Sequence, residues 1–382
     1  MKILHLCLGN FFIDNYSYQE NLLTKYHVIM GYDVTVIASL YSFGKEGEEI
    51  MLSGPSEYVN NHNVHVIRLA YKRPMRINKF LRRFIGLKEA IENEHPNIIF
   101  SHNVSYSDTT VVADYLKRHP NVKLFADNHA DYINSAKNWL SKHILHPIIW
   151  RHYANVLEPY LSRCYGVTPM RCHFLIEMYH IRPELVEFLP LGVDDDAIPS
   201  NRDLVRADIR SELGIPPKDI VLFTGGKIDR LKNTHILIGA MEKMNNKHLH
   251  LIICGVLTPE MSHLKHRVED NPQIHHLGWC NAQRVMNCMV SSDLVCFPGT
   301  HSTLWEQSIG VGLPAIFKRW DGMEHVNVNG NCLFVKGEDE KELIDAITQI
   351  VNEPFYSSIA KKAVLASKSF LYSQIAKKAI AL

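Results

Sequence analysis

Residues 297–317 read Phe-Pro-Gly-Thr-His-Ser-Thr-Leu-Trp-Glu-Gln-Ser-Ile-Gly-Val-Gly-Leu-Pro-Ala-Ile-Phe, and their punctuation decides the architecture. An apolar run from Leu294 stops at Pro298 and Gly299. Ser302 and Thr303 then supply hydroxyls able to cap a helix, and the helical pattern halts at Gly312 and Pro314 before apolar residues resume. The spacing predicts strand, polar loop, helix and strand. A helix start at the carboxyl end of a parallel strand offers unpaired N–H groups and the positive end of the helix dipole, which suits a phosphate or diphosphate.

Outward from this stretch the same alternation fills the chain. In the first half, short runs rich in Val, Ile and Leu at 2–8, 34–38, 64–68, 97–101, 123–126 and 164–167 read as buried strands. Helical patterns over 18–30 and 77–93 end at Gly31 and before Pro96. After a turn-rich stretch at 194–201 the alternation restarts, with strands predicted at 220–224, 249–254, 274–277, 294–297, 315–317 and 332–335. Strands separated by helices imply right-handed crossovers and parallel sheets covered on both faces. The expected fold class is α/β with two doubly wound, Rossmann-like domains, and 382 residues suit two cores better than one. The domains are expected at 1–192 and 193–353, with a C-terminal helical segment, 354–382, free to pack back on the first.

Composition excludes several classes. A net charge of +1 provides no global positive field, so nucleic acid is not an expected partner. No apolar run reaches the roughly 18–20 residues of a membrane-spanning helix, and the start at 1–9 reads as a buried strand rather than a signal peptide, so a cytoplasmic protein is expected. The cysteines at 7, 164, 172, 254, 280, 288, 296 and 332 form no C-x-x-C pair and sit mostly in apolar runs, as reduced core thiols would. Twenty-two histidines invite a metal, with His263 and His266 or His275 and His276 as the nearest candidates, but no acidic or thiol partners accompany them, and no metal is expected.

Three stretches, taken together, resemble the retaining glycosyltransferases of the GT-B fold, specifically the family 4-like group that uses nucleotide sugars. The first is 224–233, Thr-Gly-Gly-Lys-Ile-Asp-Arg-Leu-Lys-Asn, which resembles the family's Gly-Arg-Leu then Lys-Gly segment. On that alignment Gly226 lies at the donor, Lys227 stands for the arginine and Lys232 for the lysine that hold the donor diphosphate, and Asn233 replaces the glycine. The second is the opening stretch, which resembles the Glu-x7-Glu region. Aligning Gly312 and Pro314 with the family's Gly-x-Pro puts Gln307 at the second glutamate, expected at the ribose, and Gly299 at the first, expected at the sugar. His301 and Glu306 are then the local substitutes, Glu306 also being placed to complete a capping box with Thr303. The amides of Ser302, Thr303 and Leu304 are expected to point at the diphosphate. The third is 124–131, which resembles the segment ending in His-Asp, so that His129 would face the donor sugar. Gly9 and Asn10 match a loop near the phosphates, Leu191 to Asp194 the hinge turn, and Trp279 the segment whose backbone reads the base, although a packing role for Trp279 is equally open.

What the resemblance implies is a metal-independent retaining transferase without a cofactor, acting across a central cleft between the two domains. The donor would be UDP- or GDP-linked and the acceptor a glycan or a lipid-linked glycan, in the setting of bacterial surface polysaccharide. Lys72, Arg73, Arg76, Lys79, Arg82 and Arg83 occur with no intervening acid, while Ile77, Phe80, Leu81, Phe84 and Leu87 recur at helical spacing. The expected amphipathic helix packs its stripe on its own sheet or meets an anionic membrane surface with its cations, beside a second apolar stretch at 139–150. Two other functions stay open: another GT-B enzyme such as a nucleotide-sugar epimerase or a phosphorylase, and a non-catalytic partner that keeps the fold and binds a sugar nucleotide or another transferase.

Overall fold

The first apolar run becomes a strand with its neighbours on both sides, as a run without polar alternation requires. The computed structural model describes residues 1–44 and 48–381; Leu382, the end of the expected segment 354–382, lies outside the described residues. In chain order the first strands are β1 (Lys2–Cys7), β2 (Asp33–Ser39), β3 (Tyr41–Phe43), β4 (Glu49–Met51), β5 (Ser56–Val59), β6 (His65–Leu69), β7 (Ile98–Ser101), β8 (Lys123–Asn128), β9 (Leu161–Gly166) and β10 (Val186–Phe188). Eight of them form a sheet ordered β10-β9-β8-β7-β1-β2-β6-β5, parallel except for β5, and β3 and β4 make a separate hairpin. The order reverses between β1 and β7, so the crevice beyond their carboxyl ends is the place for a ligand.

The second set is β11 (Ile220–Gly225), β12 (Leu249–Cys254), β13 (Ile274–His276), β14 (Leu294–Phe297), β15 (Ala315–Lys318) and β16 (Cys332–Val335), ordered β13-β12-β11-β14-β15-β16 and parallel throughout. Counted within this unit the order is 3-2-1-4-5-6, with its reversal between β11 and β14. Successive residues serve opposite faces: Val221, Phe223, Val295 and Phe317 pack with Trp305, whereas Leu222, Leu251, Leu294 and Ile316 pack with Leu237 and Leu343. Each such side chain contributes about 1.5–3 kcal/mol on burial. Two helix-covered faces follow from that alternation.

Contacts divide the chain into Met1–Pro190, joined by the chain from Ile375 onward, and Leu191–Gln374. Expected segment 354–382 is therefore split. Its helices are Phe355–Ser367 and Tyr372–Ala379, the first lying wholly in the second unit. In the first unit the C-terminal chain is held by the Ala376 carbonyl, which accepts from His27 Nε2 at 2.9 Å, and by Lys378, whose Nζ donates to Phe188 O at 2.6 Å.

One expected element fails. The helix expected over 77–93 is two helices, Met75–Leu81 and Leu87–Glu94, because Arg82 adopts φ +57° and Gly86 φ +76°. Phe84 between them is buried, and its amide donates to Asp108 Oδ2 at 2.7 Å, so the chain gives up helix there to seat one ring and satisfy one amide. The stripe is consequently divided: Phe84 and Leu87 pack in the core with Leu4, Leu6 and Ile99 of the sheet, whereas Ile77 and Phe80 are 57% and 53% exposed. The stretch at 139–150 does lie beside it, with the rings of Phe80 and Trp150 centred 5.9 Å apart.

Candidate functional site

The second unit builds its candidate groups on the loops after β11 and β14. Asp229 caps the turn Arg230–Lys232 by accepting from the amides of Leu231 and Lys232 at 3.0 and 3.1 Å. Asn233 follows at φ +54°, a left-handed conformation that asparagine tolerates and glycine favours, which explains how it stands where the resembling motif has glycine. Its Nδ2 donates to Pro298 O and Gly337 O at 3.2 and 2.7 Å, tying three loops together. Lys232 is half-buried, with Nζ donating to Thr300 O at 2.7 Å and His301 O at 3.0 Å, and burial lowers its pKa. The first glutamate position has no room for a side chain, since a Cβ on Gly299 would lie 2.2 Å from the Lys232 carbonyl carbon.

On the helix Leu304–Val311, Glu306 is fully buried. His301 Nε2 donates to its two oxygens at 2.7 and 3.0 Å, and His325 Nε2 donates to Oε1 at 2.9 Å. Burial alone would push this carboxyl up; the two imidazoles outweigh it and hold it well below the usual carboxylate range. The expected capping box is therefore not formed: Thr303 makes no side-chain cap bond, and Glu306 turns inward to the histidines. His325 was not among the expected residues, because nothing in sequence marks a histidine 19 positions away in an irregular loop as a partner. Among the described residues no hydrogen bond is formed by the amides of Ser302, Thr303 or Leu304, and Ser302 Oγ is buried without a partner. Gln307 is half-buried on the same helix.

Next to this cluster lies a pocket of about 600 Å³ lined by Gly226, Lys227, Gly255, Trp279, Cys280 and Leu304. Gly226 takes φ +100°, and the close approach of its carbonyl leaves no space for a Cβ on Gly255. Lys227 is exposed and unpaired among the described residues. Trp279 is 76% exposed, so it does not serve as packing. The structure thus brings Gly226, Lys227, Trp279 and Leu304 to one pocket and Lys232, His301 and Glu306 to one hydrogen-bonded cluster, with Leu304 following His301 by one turn.

In the first unit the loops after β1, β7 and β8 converge at the switch point. A Cβ on Gly9 would meet Asn103 Cβ at 2.6 Å, which is why glycine stands there. Asn10 donates to Glu20 Oε1 at 2.7 Å and accepts from Asn103 Nδ2 at 3.3 Å. His129 lies with Nε2 buried 3.7 Å from Asp127 Oδ1, while Asn103 N donates to that same oxygen at 2.9 Å. Asn10, Arg76, Lys79, Asn103, His129 and Trp150 line a pocket of about 680 Å³. Arg82 is committed to Ser105 O and to the face of Trp150, and Arg83 to Tyr153 Oη. Among the described residues no group of three or more His, Cys, Asp or Glu side chains is arranged to hold a metal ion.

Two mainly parallel, helix-covered sheets, each with a reversal of strand order beneath the loops just described, define a pair of Rossmann-like units. Residues 22–197 match the family model Glycosyltransferase Family 4 and residues 205–366 match Glycosyl transferases group 1. The chain belongs to these group 1, family 4-like glycosyltransferases, which have the GT-B fold. It is 24% identical over 200 residues to a D-inositol 3-phosphate glycosyltransferase of Corynebacterium jeikeium, 48% of either chain, and so spans about half the length of the curated relatives it matches. Anabaena Alr3699/HepE in complex with UDP superposes with a TM-score of 0.68 at 17% identity, over 99% of this chain and 98% of that one. A UDP-N-acetylglucosamine 2-epimerase superposes with a TM-score of 0.62 at 10% identity, over 100% and 94%. At these identities the likeness is one of fold, and the fold is common to a UDP complex and an epimerase.

Proposed function

We propose that the protein is a metal-independent, retaining glycosyltransferase that moves a sugar from a UDP- or GDP-linked donor to a glycan or lipid-linked acceptor in bacterial surface polysaccharide synthesis. The observation that carries this reading is the Lys232 ammonium fixed on the carbonyls of Thr300 and His301, directly before the three unengaged amides of Ser302, Thr303 and Leu304 that lead into the helix Leu304–Val311. Breaking the glycosyl–phosphate bond leaves a nucleoside diphosphate, and preorganised cations and amides stabilise the charge that develops there. Lys227, free at the pocket mouth, supplies a second cation, and the exposed face of Trp279 with the apolar wall of Leu304 suits a base. His129 would meet the sugar, and the acceptor hydroxyl would attack from the face the diphosphate leaves. UDP in the Anabaena neighbour favours a uridine donor.

The cations and exposed apolar residues of the first unit support a peripheral position on the inner face of the cell membrane. Trp139, Ile77 and Phe80 are 69%, 57% and 53% exposed, and Phe80 lines a pocket together with the cations Arg76 and Lys79, a combination that suits an anionic interface. No described helix is long and apolar enough to cross a membrane.

A thermal-shift screen against UDP, GDP, CDP and ADP, with and without EDTA, tests the donor. Stabilisation by one diphosphate that survives EDTA is expected. Incubating the matching nucleotide sugar with and without a lipid-linked acceptor then separates transfer from epimerisation, which needs no acceptor. A protein that no nucleotide stabilises would be a non-catalytic partner instead.

A further inference from the structure

Beneath the switch point of the first unit runs a single file of buried rings. His27 Nε2 contacts Ala376 O at 2.9 Å, His27 Nδ1 contacts His5 Nε2 at 3.0 Å, His5 Nδ1 contacts His102 Nε2 at 2.9 Å, and His102 Nδ1 contacts Asp127 Oδ2 at 2.9 Å. All four side chains are fully buried. Each contact needs one proton, so four are required. The Ala376 carbonyl can only accept, and three neutral imidazoles bring three protons. The fourth must reside on an imidazole or on Asp127. Asp127 Oδ1 already accepts from Asn103 N and faces His129 Nε2, surroundings that favour a carboxylate, so the extra proton belongs to the ring beside it.

We propose that His27, His5, His102 and Asp127 form a buried file holding one proton more than three neutral imidazoles supply, resident on His102, and that this imidazolium–carboxylate pair makes Asp127 the positioning residue of His129. The directions are then fixed. His27 and His5 are Nε2–H tautomers, His102 donates from both nitrogens, and His129 turns Nε2 toward Asp127, leaving Nδ1 for a ligand in the pocket. Buried charges persist when paired, and here the group as a whole is neutral. Burial opposes the charge on His102 but the Asp127 carboxylate more than compensates, while burial keeps His5 and His27 neutral, His27 at about 4. The other titratable groups in reach are Glu20 on Gln19–Ile29, Cys7 on β1 and Cys164 on β9, both thiols pushed up by burial. The part that concerns His129 rests on reading that residue as ligand-facing.

The test is ¹⁵N-histidine NMR on the full chain between pH 6 and 8, assigned with His5→Gln and His102→Gln. Expected are one ring protonated on both nitrogens throughout and two rings locked as Nε2–H. A neutral His102 at pH 7, or an Nδ1–H form of His5 or His27, overturns the proposal. In His102→Gln the amide can still donate to Asp127 but brings no charge, so at fixed pH the ring ¹⁵N shifts of His129, 3.7 Å from the bared carboxylate, should move toward those of a doubly protonated ring. An unchanged His129 in that variant overturns its positioning by Asp127. His102→Asn serves if the Gln variant does not fold, and the wild-type spectrum tests the file in either case. The file observed in a protein that transfers no sugar upholds this proposal and removes the transferase reading; sugar transfer with a neutral His102 does the reverse.

Discussion

Lys232→Ala removes the cation that the proposed reaction leans on most. In the native loop its Nζ is pinned by two carbonyls, at 2.7 and 3.0 Å, so its position costs no ordering when a ligand arrives. An ammonium about 4 Å from one diphosphate charge, at an effective dielectric near 20, contributes about 4 kcal/mol. Water entering the truncated site recovers part of that, and a net loss of about 2–3 kcal/mol corresponds to a dissociation constant about 30- to 150-fold higher. Two carbonyls also lose their donor, which costs the folded state about 1–2 kcal/mol. Lys232→Met separates the two effects by keeping most of the stem without the charge. Calorimetric titration of UDP and GDP into wild type and both variants reads the result, with circular dichroism confirming that each is folded. Two folded variants that bind within about threefold of wild type would refute the reasoning, because the carbonyl-pinned ammonium would then be only a clamp between loops.

Glu306→Gln should lower the melting temperature of the second unit by about 5–10 °C, since a buried carboxylate accepting three charge-assisted contacts is replaced by an amide that can accept fewer. The Glu306 pKa is depressed in the fold, so its contribution is present above the unfolded value of about 4.3 and is lost as pH falls toward the folded one; acid scans of the wild type should show this loss and those of the variant should not. Trp279→Ala should leave stability within about 0.5 kcal/mol, because the ring is largely exposed, yet weaken nucleotide binding about tenfold by titration. Arg76→Glu with Lys79→Glu should abolish flotation with liposomes containing anionic lipid and leave any binding to neutral vesicles unchanged; equal flotation of both proteins would remove the membrane reading.

The sheets were legible in sequence because their central strands are continuous apolar runs: 2–8 against Lys2–Cys7, and 294–297 against Leu294–Phe297, differ by no more than a residue. Strands without such runs were not. Ser56–Val59 and Val186–Phe188 sit at sheet edges and are half-buried or exposed, so their sequence carries no sign of a core. The helix expected at 77–93 failed because periodicity cannot register that the Phe84 amide is claimed by Asp108, a residue 24 positions later. The candidate loops were readable as motifs, but their bonding was not. Gln307, Lys232 and His129 could be located by spacing, whereas His325, His102 and His5 act through contacts between distant strands and loops.

Glu306 shows what a shift of one position does to such a site. A carboxylate at the third residue of a helix can cap the first turn, face a ligand or turn into the core. It faces the core here because His301 and His325 supply two N–H donors, and because Trp305, stacked 4.5 Å from Phe317, fixes the rotation of the helix. The consequence is electrostatic. Among the described residues Lys232 is shared between carbonyls and forms no ion pair, Lys227 makes no side-chain contact, and Glu306 is already engaged by two imidazoles. The position expected to meet the ribose holds Gln307, a neutral amide whose oxygen can accept from hydroxyls and whose nitrogen can donate. A loop of this charge favours an anion, and on the proposed reading the hydroxyls would be met at Gln307 by a neutral amide. A protein that had kept only the fold would have no reason to hold a desolvated ammonium beside open amides.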